Sequence, residues 1–187
     1  MKDPLWKDIL KRSLQKAEDK PESRFFQLAT VDVEGKPQCR TLVFRGFSKD
    51  HNIQFITDTR SHKWQDLENN SEVMICWYFA ETREQYRMAG KAHLNQVTLK
   101  QTEVIWQNLS NAGKKQFLWG RPMQPRPAES TLDIDTSLIP DLPPNHFRVV
   151  NIEIDEVDFL SLRGEPQTRI LYSQSATGVW TSENIIP

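Results

Sequence analysis

Side chains in residues 40–47 alternate between two faces, which is the pattern of a β-strand. Residues 53–57 are rich in β-branched and aromatic side chains, which favour a second strand. A polar stretch lies between the two segments. The sequence therefore predicts two strands joined by a turn, and the rest of the chain is organised around this pair.

A cluster of small, hydroxylated and basic residues runs from Thr57 to Lys63, directly after the second predicted strand. Ser61 is a good N-cap for a short helix that runs to about Leu67. Free N–H groups at a helix N-terminus, with a hydroxyl and adjacent cations, are typical of a phosphate-binding site. Arg40 would reach the same anion if the two strands pair. The alternative interpretation is a solvated basic turn.

Six further strands are predicted from alternation or from runs of β-branched and aromatic residues. They cover residues 25–33, 72–79, 84–94, 147–162, 169–173 and 178–184. The run EVMICWYF at 72–79 is nearly all apolar, which predicts a strand buried on both faces. Gly90 lies in the middle of the next strand and predicts a β-bulge or a close approach.

Helices are few. An apolar stripe at 3.6-residue spacing predicts a helix from Pro4 to about Asp19, within the first 20 residues. Two more helices are predicted at residues 98–109 and 111–119. In the first of these, the residues expected to face inward are Val104, Ile105 and Leu109. Residues 120–145 hold six of the eleven prolines and predict a long irregular loop, a possible lid over a bound ligand.

Hairpin-connected strands with few helices indicate a mainly β fold, namely an antiparallel barrel with peripheral helices. A chain of 187 residues is long enough for one domain with a sizeable core, and it has no internal repeat. We therefore expect a single domain over residues 1–187.

Composition removes several classes of function. The 24 basic and 25 acidic residues nearly cancel, so neither a nucleic-acid partner nor a membrane surface is expected. No 18-residue apolar run and no secretory signal are found. The histidines lack metal-ligand spacing, so no metal site is expected. Cys39 and Cys76 are expected to be reduced and buried in a cytoplasmic protein.

Three blocks carry a family resemblance. The strand from Arg40 to Phe47 is similar to R-x-x-L-L-K-G, and residues 57–70 are similar to Y-T-x-x-x-S-R-K…E-N-N. Residues 83–92 are similar to E-R-Q-x-x-x-x-G-K-A. Together these blocks resemble the pyridoxamine 5′-phosphate oxidase family of FMN-binding split β-barrels, over about residues 25–187.

The resemblance implies that FMN lies in a cleft at a homodimer interface. The residues at the positions that hold its phosphate are Arg40, Ser61, His62 and Lys63. His62 stands where the family has an arginine, so one cation becomes titratable near neutral pH. The backbone expected to lie along the isoalloxazine ring is that of Thr41, Leu42 and Val43. The other residues at flavin-binding positions are Thr57, Gln85, Phe159 and Arg169, with Gln85 reaching the cofactor from the other subunit.

The positions that bind substrate in the family's oxidases are changed. Arg45 stands at a strand lysine, and the R-x-H pair is replaced by Glu165 and Gln167. A carboxylate at Glu165 would repel a substrate phosphate. The residues that could line the substrate side are Arg45, Trp106, Lys114, Trp119 and Glu165. For the two tryptophans, packing of the helices is the alternative interpretation.

The resemblance therefore implies an FMN-dependent oxidoreductase with an altered substrate site. No catalytic residue is assigned, because the flavin itself carries the redox chemistry. Two alternatives stay open. The chain could be a non-catalytic module that stores or senses FMN, or a split barrel that binds another flat cofactor such as haem or a deazaflavin.

Overall fold

The computed structural model describes residues 4–126 and 132–187, which form one antiparallel sheet of nine strands. The strands are β1 (Phe25–Val31), β2 (Pro37–Val43), β3 (Gly46–Phe47), β4 (Ile53–Asp58), β5 (Glu72–Phe79), β6 (Glu84–His93), β7 (Phe147–Ser161), β8 (Thr168–Gln174) and β9 (Trp180–Ile185). Their order is β2-β1-β5-β6-β7-β4-β3, with β8 paired to β7 and β9 to β8. The predicted antiparallel β fold with few helices is confirmed.

Four α-helices accompany the sheet in the described residues: α1 (Leu5–Lys16), α2 (His62–Asn69), α3 (Leu99–Gln107) and α4 (Asn111–Lys115). Two short 3₁₀ turns lie at Pro21–Arg24 and Thr136–Leu138. None of the helices in this part of the chain has the length and apolar character needed to cross a membrane. Residues 1–3 of the predicted N-terminal segment, and residues 127–131 of the predicted proline-rich loop, lie outside the described residues.

The prediction of one continuous strand over residues 40–47 is wrong, because the structure has two separate strands there. β2 ends at Val43 and pairs with β1, whereas β3 begins at Gly46 and pairs with β4. Gly46 has a φ of +126°, a conformation that side-chain-bearing residues rarely adopt. The chain thus crosses from one part of the sheet to another, and β2 stands at the end of the strand order with one free edge.

The prediction for Gly90 is confirmed. The register between β6 and β7 shifts at Ala89/Gly90, which marks a bulge. A Cβ atom built on Gly90 would lie 2.0 Å from the carbonyl oxygen of Glu153. Only glycine allows the two strands to pair this closely.

Burial corrects two other predictions. β5 is not buried on both faces, because only the face with Val73, Ile75, Trp77 and Phe79 is buried. The opposite face, which includes Cys76 and Tyr78, is partly exposed because no other layer of the described chain covers it. Cys39 lies on the same open face and is exposed, so neither cysteine is buried; both thiols are free.

The large core fills the inside of the sheet, and α1 packs against it through Trp6 and Leu10. A second, smaller core joins the two later helices to the start of β7; its members are Trp106, Leu109, Phe117, Phe147 and Val149. In α3 the residue turned fully inward is Trp106, and Val104 is 55% exposed, contrary to prediction. The choice of helix face differs because a large aromatic ring, not a β-branched side chain, fills the space against Phe147.

Candidate functional site

The predicted basic cluster forms the junction between β4 and α2. Ser61 occupies the N-cap position, but its hydroxyl donates to the carbonyl oxygen of Asp58 at 2.7 Å and caps no helix amide. The N-terminal amides of α2 therefore lack a side-chain cap. His62, the first helical residue, is exposed, and its side chain makes no hydrogen bond within the described residues. This junction offers uncapped donors and nearby cations.

Lys63 is the most unusual member of the cluster. Its ammonium donates to Thr57 Oγ1 at 2.7 Å and to Ser61 Oγ at 3.2 Å. Among residues 4–126 and 132–187, no carboxylate forms an ion pair with it. Burial, and then repulsion from Arg40, lower the pKa of Lys63 to about 8. A half-buried ammonium that is hydrogen-bonded only to hydroxyls is suited to bind an anion.

Arg40 reaches this cluster from β2. Its guanidinium donates to Thr30 Oγ1 at 2.7 Å, to the Leu28 carbonyl oxygen at 3.3 Å and to Asp66 Oδ2 at 3.2 Å. The Thr30 hydroxyl in turn donates to the same Asp66 oxygen at 2.8 Å. Arg40 was predicted to reach the cluster through pairing of β2 with β4. It instead contacts Thr30 on β1 and Asp66 on α2.

Thr30 and Asp66 were not identified from the sequence, although the position of each relative to a predicted site residue indicates a contact. Residue 66 follows Lys63 by three positions, so both fall on one side of the same helix. In a hairpin between β1 and β2, Thr30 lies diagonal to Arg40, two positions beyond its partner Leu28. The two residues fix the direction of the Arg40 side chain.

A second ion pair flanks the junction. Arg60 binds Asp58 with a closest contact of 2.6 Å, and His146 Nε2 lies 3.9 Å from the same carboxylate. Burial opposes the ionisation of Asp58, but the hydrogen bonds from Arg60 outweigh it and hold the pKa of Asp58 below its usual value. Arg60 is thus neutralised within the protein, whereas Lys63 is not.

The free edge of β2 presents main-chain donors. Phe44 N–H donates to the Arg24 carbonyl toward β1, and Arg45 N–H donates to Gln54 in β4, on the opposite side. Because amides alternate along a strand, those of Thr41 and Val43 point away from β1, toward the edge that has no partner strand in the described sheet. Leu42 lies between them and is half-buried. This edge suits a flat ring with hydrogen-bond acceptors.

The remaining predicted flavin residues lie elsewhere in this chain. Gln85 pairs with Leu160, which in turn pairs with Arg169, whereas Thr57 pairs with Arg148. Arg148 and Leu160 are twelve positions apart on β7, which is roughly 40 Å of extended strand. The eleven predicted residues thus form two groups, one on β2, β4 and the start of α2, and the other on β6, β7 and β8.

Within the second group, Arg169 is already paired. It donates to both Asp158 oxygens, at 2.9 and 2.7 Å, and Arg87 approaches the same carboxylate at 3.4 Å. The pKa of Asp158 is lowered by the hydrogen bonds from Arg169. Phe159 points the other way and packs on Tyr86 with ring centroids 5.0 Å apart, so its ring is buried in the core.

The predicted substrate residues are also scattered. Trp106 is completely buried and donates to the Pro140 carbonyl, which is the packing role given as its alternative. Lys114 lies over its ring, 5.7 Å from the centroid. Trp119 is partly exposed, and Glu165 is exposed in the turn between β7 and β8. Arg45 is half-buried beside the free edge of β2.

Comparison with known proteins identifies the family of this chain. The model of the family described as "Pyridoxamine 5′-phosphate oxidase, FMN-binding domain" matches residues 3–96. Pyridoxine/pyridoxamine 5′-phosphate oxidase 2 of Arabidopsis thaliana is 30% identical over 200 aligned positions, which cover 97% of this chain and 96% of that protein.

Solved structures share the fold. A pyridoxamine 5′-phosphate oxidase-related, FMN-binding protein from Nostoc punctiforme PCC 73102 is 38% identical, with a TM-score of 0.88 and full coverage of both chains. PhzG from Burkholderia lata 383 has a TM-score of 0.82 over 100% of this chain and 98% of its own. It is only 20% identical, so it supports the fold alone. These similarities confirm the predicted split-barrel class.

Proposed function

Because this chain belongs to the pyridoxamine 5′-phosphate oxidase family of FMN-binding proteins, we propose that it is a flavin-dependent oxidoreductase with an altered substrate site. FMN is the cofactor of this family. When bound, FMN supplies the two-electron redox chemistry, and the protein supplies binding, orientation and electrostatics. The residues of this chain would therefore have two tasks, namely to bind FMN and to leave space for a substrate beside it.

The observation that carries the proposal is the half-buried Lys63 ammonium, whose hydrogen-bond partners are two hydroxyls. A phosphate dianion would compensate this charge, and it would also lie near the guanidinium of Arg40, which is paired with Asp66. In the proposed site these two cations, with Ser61 and the exposed His62, hold the FMN phosphate. Thr57 orients the Lys63 ammonium, and the edge of β2 from Thr41 to Val43 supports the ring.

We also propose that the protein is a homodimer with FMN between the subunits. Gln85, Phe159 and Arg169 lie on β6, β7 and β8, three or more strands from the free edge of β2 along which the flavin ring is proposed to lie. In an isologous dimer, the second group of each chain would lie against the first group of its partner. This arrangement would give two equivalent FMN sites. We place this dimer in the cytoplasm, as its two free cysteines would suggest.

A second candidate is a non-catalytic FMN-binding protein. It is favoured by the placement of the predicted substrate residues, because Trp106 is buried in a core and Glu165 lies in an exposed turn. A substrate site of the family's type would need these side chains to converge. The oxidoreductase remains our first proposal because a flavin needs few protein groups to exchange electrons.

The test is the visible spectrum of the purified protein before and after it is mixed with FMN, followed by reduction and reoxidation. Flavin absorbance that stays with the protein, and that bleaches with a nicotinamide donor and returns in air, is the result expected of an oxidoreductase. Tight FMN that no donor or pyridoxamine phosphate reduces would support the non-catalytic alternative. A protein that binds no FMN would overturn both.

A further inference from the structure

A polar cavity of about 490 Å³ lies between the segment that leads into α3, the turn that joins β3 to β4, and the strands β4 and β7. Small-molecule sites in proteins usually have roughly 300–1,000 Å³, so this volume is sufficient for a ligand. In the described chain, Val97 is the one apolar residue among those that line it. The cavity therefore offers mainly hydrogen-bonding groups.

Two amide side chains, Gln54 from β4 and Asn151 from β7, form part of the cavity wall. The two residues are directly opposite each other in the sheet, and Nε2 of Gln54 donates to Oδ1 of Asn151 at 2.9 Å. Asn151 is only 5% exposed, yet its amino group donates no hydrogen bond within residues 4–126 and 132–187. Because Asn151 lines the cavity, a molecule in the cavity is the natural acceptor for this buried donor.

The amide pair leaves one acceptor and one donor unused. The carbonyl oxygen of Gln54 accepts no hydrogen bond in the described part of the chain, and the amino group of Asn151 donates none. The result is the same if both amides are turned over, since one carbonyl oxygen and one amino group are left in either case. A ligand that carries an acceptor beside a donor would satisfy both groups at once.

The charges of the cavity lie on exposed residues. Lys49 and Asp50 are neighbours of opposite sign in the turn, and Glu153 is bound to His93 at 2.8 Å. No group of like charges therefore surrounds the buried amide. A charged ligand would lose hydration beside Asn151 without an opposite charge to compensate it, so an uncharged ligand is favoured.

The cavity is separate from the proposed phosphate site. Gln54 and Thr57 are three positions apart on β4, so their side chains point to opposite faces of the strand. Thr57 contacts Lys63 on its face, whereas Gln54 shares its face with Ile56, which packs under α3 in the smaller core. The amide pair thus begins where this apolar layer ends.

We propose that this cavity is a second ligand site, which binds a neutral small molecule through a carboxamide or a cyclic amide group. Such a group carries a carbonyl oxygen beside an N–H, so it accepts from Asn151 and donates to Gln54. An N-methylated amide of similar shape could not donate and would leave the Gln54 carbonyl without a partner. The inference does not rest on the proposed function, because neither residue belongs to the proposed FMN site.

The experiment is a titration followed by saturation-transfer NMR, with four probes in two matched pairs. Uracil is a cyclic amide and dimethyluracil lacks its N–H groups; nicotinamide is a carboxamide and N,N-dimethylnicotinamide is its methylated analogue. The proteins compared are wild type, Gln54→Met, Asn151→Leu and Gln15→Met. Gln15 is exposed on α1, outside the cavity, and is the control for loss of one amide.

We expect uracil or nicotinamide to bind wild type, and its methylated analogue to bind more weakly. The affinity of the bound probe should fall roughly 3- to 10-fold in Gln54→Met and in Asn151→Leu, the usual effect of losing a neutral hydrogen bond. It should not change in Gln15→Met. Gln54 is half-buried, so Gln54→Met decides the result if Asn151→Leu, at a buried position, fails to fold.

The proposal would be overturned if neither uracil nor nicotinamide binds, because water alone would then satisfy the amide pair. Equal binding of a probe and its methylated analogue, or equal affinity of wild type and Gln54→Met, would overturn it as well. All titrations are repeated with added FMN. A probe that FMN displaces would lie in the flavin cleft and not in this cavity, which would also contradict the proposal, whereas failure of FMN to bind would overturn only the proposed function.

Discussion

The Lys63 ammonium and the Thr57 hydroxyl are joined by a hydrogen bond of 2.7 Å, which ties the first turn of α2 to the end of β4. The bond positions a half-buried cation without neutralising it. A charge placed in this way destabilises the protein that holds it until an anion arrives. In the proposed site, Lys63 therefore lowers the stability of the FMN-free protein and raises its affinity for FMN.

The first prediction concerns replacement of this cation by an apolar side chain of similar length. Lys63→Met should stabilise the FMN-free protein by about 1–3 kcal/mol near pH 7, because it removes the cost of burying a charge. The same variant should lose roughly 10- to 100-fold in FMN affinity. Thermal unfolding without FMN and a fluorescence titration with FMN measure the two effects.

Riboflavin is the matched control ligand for this variant, because it has the same ring but no phosphate. Its affinity should not differ between wild type and Lys63→Met if Lys63 binds the phosphate. An equal loss for FMN and riboflavin would instead place Lys63 at the ring, or indicate a general distortion of the site.

The second prediction follows from the lowered pKa of Lys63, about 8 in the folded chain against the usual 10.5. FMN binding needs the protonated ammonium of Lys63, so affinity should fall as the pH rises above 8, by at most about tenfold per pH unit. The FMN-free protein should respond in the opposite direction. Between about pH 8 and 10.5 the unfolded chain binds the proton that the folded chain has lost, so this group makes stability rise with pH.

Lys63→Arg is the control for the pH dependence, since a guanidinium stays protonated throughout this range. Its FMN affinity should show no decline centred near pH 8. A decline of the same size in wild type and Lys63→Arg would assign the titration to another group.

The third prediction tests how Arg40 is held. Thr30→Val keeps the shape and strand preference of the side chain but removes the hydroxyl that bridges Arg40 and Asp66. We expect a loss of about 1–2 kcal/mol in stability, because a buried carboxylate loses a donor and Arg40 loses an acceptor. FMN affinity should fall several-fold while riboflavin affinity is kept. Thr168→Val, at an exposed strand end, should change neither quantity.

Much of the sheet was predictable because strand alternation and turns are local signals. The bulge at Gly90 and the helix start after Ser61 belong to this class, since each depends on residues within a few positions. The residue at which a strand ends could not be predicted where it depends on contacts with residues far away in the sequence. The separation of β2 from β3 depends on which strands are neighbours, and no local pattern around Phe44 reveals that β4 pairs with β7.

In the candidate site, too, the features that depend on neighbouring residues were predictable and those that depend on long-range packing were not. The cluster from Thr57 to Lys63 is contiguous in sequence, so its chemistry could be recognised directly. The roles of Thr30 and Asp66 depend on the packing of α2 against β1, which sequence spacing alone does not fix. The exposure of Cys39 and of Val104 was missed for a related reason, because which side of an element faces a second layer is decided by the whole fold.

The fourth prediction decides between a site within one chain and a site shared by two. Lys63→Met lies in one predicted group of flavin residues, at the start of α2, and Arg169→Gln lies in the other, on β8. Each variant alone should bind FMN poorly, because both sites of its homodimer carry a lesion. In a heterodimer of the two variants, isolated through two different affinity tags, one shared site carries both lesions and the other carries none. We therefore expect the heterodimer to bind one FMN with wild-type affinity, measured by absorbance after gel filtration. If each site lay within one chain, every site would contain a lesion, and the heterodimer would bind no better than the two parents.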